Sequence, residues 1–429
     1  MKGADHILYV GAQLPKRSET FVYREVLGLR DRGVAVSIAS VHPPEADLGD
    51  PRLDALARDA VPVYGRGAGG KLAVAVDATR AAWIRPPRGL FETPPVYWPK
   101  YLLQSEAGYA LAHRVRDRGI THVHAHMAHV PATVAMACAQ ALGVPFSFTG
   151  HAADLFRDRS ALKTKLSRAA FVACISHWHR GFYREIVPGL TDAQLPVVRC
   201  GVDLDDFAPV PPVAEPHLVA VGRLVAKKGF DVLIRALANL PADTRLTLVG
   251  DGPEDDALRS LAVEVGVQDK ITFAGALTND AVRDLMARAA VFVLPCQQAA
   301  DGDRDGIPVV LMEAMARGVC VVSGDLETIR ELVTDNVGGV MVTPGAVDEL
   351  SDVLDRLLAE PQIRTRLAAA GRTRVAEEFA LSVNLDRLQR AFADARAPRV
   401  HGSNAHDPLP PLLPDQPHPR RGGLCAADP

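Results

Sequence analysis

Charge of one sign is missing from this 429-residue chain: 48 lysines and arginines stand against 51 aspartates and glutamates, a net of −3. No overall basic field therefore draws nucleic acid, or an anionic membrane, to the protein, and any such contact has to be local. Cysteine pairing motifs are missing too. Cys138, Cys174, Cys200, Cys296, Cys320 and Cys425 form no Cys-x-x-Cys, and several fall in apolar, strand-like runs. That pattern points to reduced structural thiols and a cytoplasmic setting. No apolar run reaches the roughly 18 residues of a membrane-spanning helix. The start, Met1 to His6, leads directly into Ile7-Leu8-Tyr9-Val10 without the long apolar region of a signal peptide. What is present is 48% hydrophobic residues spread over a length that suits two domains, each with its own core.

Apolar, β-branched runs alternate with helical patterns, which predicts an α/β fold with parallel sheets and crossover helices. Strands are expected at 7–10, 34–41, 61–64, 121–125, 145–149, 171–175 and 196–199, with a helix over 18–32 ended by Gly33. Residues 206–216 hold four prolines and read as a linker. A second series follows, with strands at 217–222, 244–249, 271–274, 290–294, 319–322 and 339–342. The expected division is a first Rossmann-like domain over 1–205, the linker, and a second over 217–380. A helix over 381–396 and a proline-rich, disordered tail over 397–429 complete it. Two such sheets would face a cleft at the carboxyl ends of their strands, where ligands of open α/β sheets bind.

The most specific stretch is Asp305-Gly306-Ile307-Pro308-Val309, followed by Glu313 with seven residues between the two acids. Pro308 suits a first helical turn, and the free N–H groups of a helix start attract phosphate. Side chains lean toward the amino end of a helix, so Glu313 can reach back toward the ribose beside that phosphate. This stretch resembles the Glu-x7-Glu motif of glycosyltransferase family 4, with Asp305 in place of the first Glu. Pro15-Lys16-Arg17-Ser18-Glu19-Thr20-Phe21, Phe148-Thr149-Gly150-His151 and Val221-Gly222-Arg223-Leu224-Val225-Ala226-Lys227-Lys228-Gly229 resemble the same family in the same order, closest to its exopolysaccharide, colanic-acid-like branch.

The resemblance implies a retaining enzyme of GT-B type, two Rossmann-like domains about a cleft with a terminal helix crossing back to the first. It implies transfer of a hexose from a nucleoside diphosphate sugar to a glycan or lipid-linked acceptor, with no metal or other cofactor. By the same resemblance Arg223 and Lys228 hold the diphosphate, while Gly306, Ile307, Pro308, Val309 and Glu313 hold the donor. Gly275 and Leu277 meet the base, His151 and Asp305 are catalytic, and Ser18, Glu19, Thr20 and His126 form the acceptor side. The physical need for the cations is plain, since a departing nucleoside diphosphate gains negative charge.

Other patterns are weaker. His122, His124 and His126 fall on one face of a strand, but no later cluster of acid and histidine completes a metal site. Asp301 to Gly306 begins like a calcium loop, yet its twelfth position is Met312. Gly65 to Lys71 nearly spells a P-loop, but Leu72 stands where a hydroxyl is needed. A dinucleotide- or ATP-dependent enzyme built on that segment, or a non-catalytic nucleotide-sugar-binding protein, are the alternatives. The segment from Trp83 to Tyr101 sets Trp98, Tyr97 and basic residues among prolines, a composition that suits peripheral contact with the inner face of a membrane.

Overall fold

The structure is a computed structural model that describes residues 5–396, apart from 18, 46–47, 65–86, 152–158, 212, 214 and 301. Ser18, the Gly65 to Lys71 segment, Trp83, Asp154 and the 397–429 tail lie outside the described residues.

The first sheet has strands β1 (His6–Gly11), β2 (Ala35–Ser40), β3 (Val61–Pro62), β4 (His122–His126), β5 (Phe146–Gly150) and β6 (Phe171–Cys174). Its described helices are α1 (Thr20–Asp31), α2 (Pro51–Asp59), α3 (Trp98–Val115), α4 (Val130–Leu142), α5 (Leu162–Arg168) and α6 (His177–Ile186). The second sheet has β7 (His217–Val221), β8 (Arg245–Val249), β9 (Ile271–Gly275), β10 (Val291–Leu294), β11 (Cys320–Gly324) and β12 (Val340–Val342). Helices α7 (Phe230–Leu237), α8 (Asp255–Glu264), α9 (Asn279–Met286), α10 (Val309–Ala316), α11 (Val347–Ala359) and α12 (Pro361–Glu378) go with it.

Both sheets are parallel, six-stranded and wound alike, in the orders β3-β2-β1-β4-β5-β6 and β9-β8-β7-β10-β11-β12. Each order reverses once, between β1 and β4 and between β7 and β10, and that reversal opens a crevice at the carboxyl ends of the strands. The strands read as continuous apolar runs because helices cover both faces of such a sheet; in β10, for example, every residue from Val291 to Leu294 is buried. The two Rossmann-like sheets expected from the sequence are therefore present.

The last helix, α13 (Leu381–Arg396), returns to the first sheet. It packs on α1, where Gly28 has no side chain because Leu385 Cδ1 stands 2.5 Å from the place a Cβ would take. Arg32, at the C-cap of α1, donates to Asp386 and Gln389. The crossing itself is tied down by Val202 N–H to Phe379 O and Leu381 N–H to Val202 O, at 2.9 and 2.8 Å.

One expectation needs correction. Residues 196–199 form no strand, only a single bridge from Val197 to Cys174. Proline at 196 removes one of the donors a longer ladder would use. The proline-rich 206–216 stretch is anchored to the second core. Phe207 is 1% exposed in the second core, its carbonyl accepts from Arg372, and Val210 N–H bonds Arg317 O. Of the cysteines, Cys138, Cys174, Cys296 and Cys320 are free and buried, as thiols packed in cores should be.

Candidate active site

The second sheet brings its predicted residues together through short loops. Two glycines without side chains allow the close approach: Cβ atoms at Gly250 (φ +138) and Gly252 (φ +159) would lie 1.9 Å from Gly222 O and 2.3 Å from Leu224 O. Arg223 leaves this packed corner exposed and, among the described residues, without an ion-pair partner. Lys228 folds back over Gly222, its Cε 3.4 Å from where a Cβ would be.

Lys228 is not free. Its Nζ lies 2.8 Å from Asp305 Oδ2, while Lys227 reaches Asp303 at 3.2 Å and Asp305 at 3.6 Å. Burial alone would lower the Lys228 pKa, but the Asp305 carboxylate outweighs it and leaves it raised. Burial would raise Asp305, and Lys228 and Lys227 together bring it below the usual carboxylate range. Cys296 Sγ donates to Asp305 Oδ2 at 3.3 Å, and Thr328 Oγ1 to Asp305 O at 3.0 Å. Asp303 and Asp305 are thus both paired with lysines.

Helix α10 begins four residues after Asp305. Pro308 stands at the N-cap with ψ 123, one position before the first helical turn expected for it. Ile307 is 8% exposed in the second core and Val309 packs against that core, so their side chains hold the loop and only their backbone can meet a ligand. Glu313, further along α10, bonds Arg24 of α1 at 2.9 Å, with both side chains largely buried. At the far edge, Gly275 (φ +67) ends β9 and accepts Gly250 N–H at 2.9 Å, with Leu277 half-buried beyond it.

The first sheet supplies a histidine cluster. His151 follows β5 and lies with its ring centroid 4.6 Å from that of Phe21. Its Nε2 is 3.4 Å from His126 Nδ1, and His126 Nε2 is 2.8 Å from Glu25 Oε1. The same Glu25 oxygen accepts from Tyr9 O–H at 2.8 Å. His126, expected on the acceptor side, is only 3% exposed and stands between Glu25 and His151. Burial, then the neighbouring His126, His179 and His129, hold His151 well below the usual histidine range, so it is neutral. Glu19 pairs with Lys16 at 2.8 Å and Thr20 opens α1.

Glu25, His124 and His126 also form a cluster of metal-ligand composition, with donor atoms within 4.8 Å of one another. Every nitrogen in it has a protein partner. His124 meets Ser147 and Thr149 hydroxyls at 2.8 and 3.1 Å, and His126 meets Glu25 and His151. These are the bonds of a closed polar network, and an ion would have to displace them.

Buried histidines give the protein an acid limit. Burial lowers His122 to about 3. It also takes His179 to about 4, with Glu331 opposing and Arg304 adding to the shift. These rings stay neutral in the fold while the unfolded chain protonates near 6.5, so their contribution is full above pH ~6.5 and is lost as pH falls toward the folded values. The expected loss is about 2 kcal/mol for each ring by pH 5, before carboxylates enter. Urea midpoints at pH 8 and pH 5 measure it; equal midpoints would refute it.

Sequence reasoning missed Glu25, Arg24, Arg199 and Glu331. Glu331 joins the two sheets: its carboxylate accepts His177 and Trp178 N–H at the start of α6, both at 2.9 Å, and Arg199 at 2.7 Å. For Glu25 a signal existed, since it interrupts the buried stripe Val22, Val26, Leu29 of α1.

Residues 18–206 match the family described as Glycosyltransferase Family 4, and residues 203–374 match Glycosyl transferases group 1. The chain is 34% identical over 202 residues to the GDP-mannose-dependent alpha-(1-6)-phosphatidylinositol monomannoside mannosyltransferase of Mycobacterium tuberculosis H37Rv, covering 44% of this chain and 52% of that relative. It is 34% identical over 211 residues to the putative colanic acid biosynthesis glycosyltransferase WcaL of Escherichia coli K12, covering 48% and 51%. The chain thus spans about half the length of the curated relatives it matches. Among solved structures, Anabaena Alr3699/HepE in complex with UDP superposes with a TM-score of 0.69 at 17% identity, over 91% of this chain and 99% of that one. This last likeness concerns the fold.

Proposed function

The chain belongs to the glycosyltransferase families that its two halves match, and from that premise we propose that it moves a hexose from a nucleoside diphosphate sugar to a hydroxyl of a glycan or lipid-linked acceptor, with retention at the anomeric carbon. The observation that carries the proposal is the cation set at the second switch point. Lys228 is ion-paired to Asp305 in the loop that opens α10, where backbone N–H groups favour a phosphate, and Arg223, five residues before it, is exposed. In the reaction the bond from the anomeric carbon to the diphosphate oxygen breaks and a bond to the acceptor oxygen forms on the same face. The acceptor proton leaves with the departing diphosphate, whose growing charge Arg223 and Lys228 stabilise without a metal.

The remaining roles belong to the same reading. Glu313 holds the ribose after releasing Arg24, and the backbone at Gly275 and Leu277 meets the base. His151 bonds the sugar from the first sheet, with Glu19 and Thr20 near the acceptor. Asp305 keeps Lys228 in place. Two carboxylates that each serve a cation are not the flanking acid and nucleophile of a glycosidase. One relative is named for GDP-mannose and one structural neighbour holds UDP, so both nucleotides belong in the test. Calorimetry with UDP- and GDP-sugars, without and then with magnesium, is expected to show metal-independent binding of one series. Binding of ATP or NAD in place of any nucleotide sugar would overturn the reading, and binding of donor without turnover on any acceptor would favour the non-catalytic alternative.

The acceptor side bears on membrane contact. No helix among the described residues is long and apolar enough to cross a membrane, but Phe91, Val96 and Tyr97 are 76%, 77% and 50% exposed just before α3. Trp98 is held beneath them by its indole N–H to Thr93 O at 2.8 Å. This knuckle, with Lys100 at its rim, suits the headgroup boundary of an anionic bilayer carrying a lipid-linked acceptor. The first named relative acts on such a lipid. Flotation with anionic liposomes should recover the wild type and lose most of a Phe91→Ser, Tyr97→Ser variant; equal recovery would remove membrane contact at this face.

A further inference from the structure

The contact between Arg24 and Glu313 sets a helix of the first sheet against the proposed ribose site of the second. We infer that Arg24 competes with the donor's ribose for the Glu313 carboxylate, so that every nucleotide entering the site has to displace an arginine. The inference rests on the reading of Glu313 as the residue that holds the ribose.

The geometry joins two points of one helix to one site. Arg24 lies on α1 and Glu313 on α10, their side chains 11% and 14% exposed around a 2.9 Å contact from Nη1 to Oε1. Among the described residues Arg24 meets no other acid, and Glu313 no other cation, within ion-pair distance. The neighbouring Tyr23 is buried, and its hydroxyl is 3.4 Å from Asn279 Nδ2. Asn279 opens α9, two residues past Leu277 at the proposed base site. Adjacent residues of α1 therefore touch both flanks of the nucleoside site. Helix α1 is itself held in place, since Val22, Val26 and Leu29 are buried beneath it and Leu385 of α13 fills the space at Gly28.

Charge alone predicts the opposite of competition. Arg24 is a cation near the site of an anionic ligand, and removing a cation ordinarily weakens the binding of an anion. Competition reverses that sign. An arginine keeps its proton in a protein, so a displaced Arg24 has to be paired again or wetted, and the ligand's affinity is reduced by that cost. The linkage is reciprocal: whatever the Arg24–Glu313 contact takes from nucleotide affinity, bound nucleotide takes from the contact. The spent nucleoside diphosphate carries the same ribose, so the pair also favours its release.

The test is calorimetry of UDP and GDP with the wild type, Arg24→Met, Glu313→Met and the double variant, repeated with the 2′,3′-dideoxy forms that lack both ribose hydroxyls. Arg24→Met is expected to bind the preferred ribonucleotide about fivefold more tightly or better, the low end of couplings between linked sites. The dideoxy form should gain nothing. Glu313→Met should bind the ribonucleotide more weakly than the wild type, and adding Arg24→Met to it should bring no gain. Arg24→Gln removes the charge but can still donate to Glu313; it guards against misfolding of Arg24→Met and should show a smaller gain of the same sign. Weaker or unchanged binding in both Arg24 variants, with Glu313→Met weakened, overturns the inference alone. So does an equal gain for the dideoxy form or in the Glu313→Met background, because either would mean that Arg24 acts on something other than the ribose acceptor. Wild-type affinity in Glu313→Met instead takes the ribose away from Glu313, and no binding of either nucleotide to any variant removes the nucleotide site. Both are failures of the functional reading, and the inference falls with it.

Discussion

Lys228→Ala is expected to lower kcat/KM for the donor by about 2 to 4 kcal/mol, roughly 30- to 1000-fold, because it removes a fixed charge from the site where the leaving diphosphate gains its own. Asp305→Asn should also slow turnover, since it frees the Lys228 ammonium from the carboxylate that fixes it at 2.8 Å. The two variants should part on binding. A diphosphate entering this loop competes with Asp305 for the same ammonium, so nucleoside diphosphate should bind more weakly to Lys228→Ala and more tightly to Asp305→Asn. Neither partner titrates near neutrality. Raised Lys228 loses its contribution only as pH rises through its folded value, above the ordinary lysine range, and depressed Asp305 only as pH falls through its own, below the ordinary carboxylate range. The contrast should therefore hold unchanged from about pH 6 to 9, a span between the two ordinary values. Calorimetry of both variants decides it; weaker binding in both would make Asp305 part of the diphosphate cradle and not a competitor.

What the sequence revealed follows the length of chain over which each feature is written. The buried strands were legible because a parallel strand covered on both faces is a short, unbroken apolar run, as at Val291 to Leu294. Val197 and Val198 offered a similar run, but strand pairing depends on a neighbour, and there only Cys174 answers. The loop from Asp305 to Pro308 and the Arg223 to Lys228 corner were legible because each is local, a glycine turn leading to a helix. That Lys228 and Asp305 neutralise each other was not, since nothing in either segment points to the other. The Glu25 bond to His126 and the Arg24 bond to Glu313 span 101 and 289 residues. Phe207 was hidden differently: the prolines around it suggest a linker, but they say nothing of the aromatic ring buried there in the second core.

Glu331→Ala is expected to be the most destabilising single change among the residues that join the two sheets. Arg199 has a side chain only 2% exposed, and its NH1 lies 2.7 Å from Glu331. Its other acid, Glu378, is 3.8 Å from Nε, too far to satisfy it as a hydrogen bond. Burial lowers the Arg199 pKa against the pull of Glu331, yet an arginine does not give up its proton in a protein, so removing Glu331 strands a buried charge. Such a loss costs about 3 to 5 kcal/mol. The cap on α6 goes with it, because the N–H groups of His177 and Trp178 lose their acceptor, at about 1 kcal/mol. The two parts can be separated. Arg199→Leu added to Glu331→Ala removes the stranded charge and leaves only the cap unfilled, so the double variant should recover to within about 1 to 2 kcal/mol of the wild type. Urea unfolding of the single and double variants measures both terms. If the double variant is no more stable than Glu331→Ala, the penalty lies in the α6 cap and the contact between sheets, and the Arg199 pair is not what makes Glu331 matter.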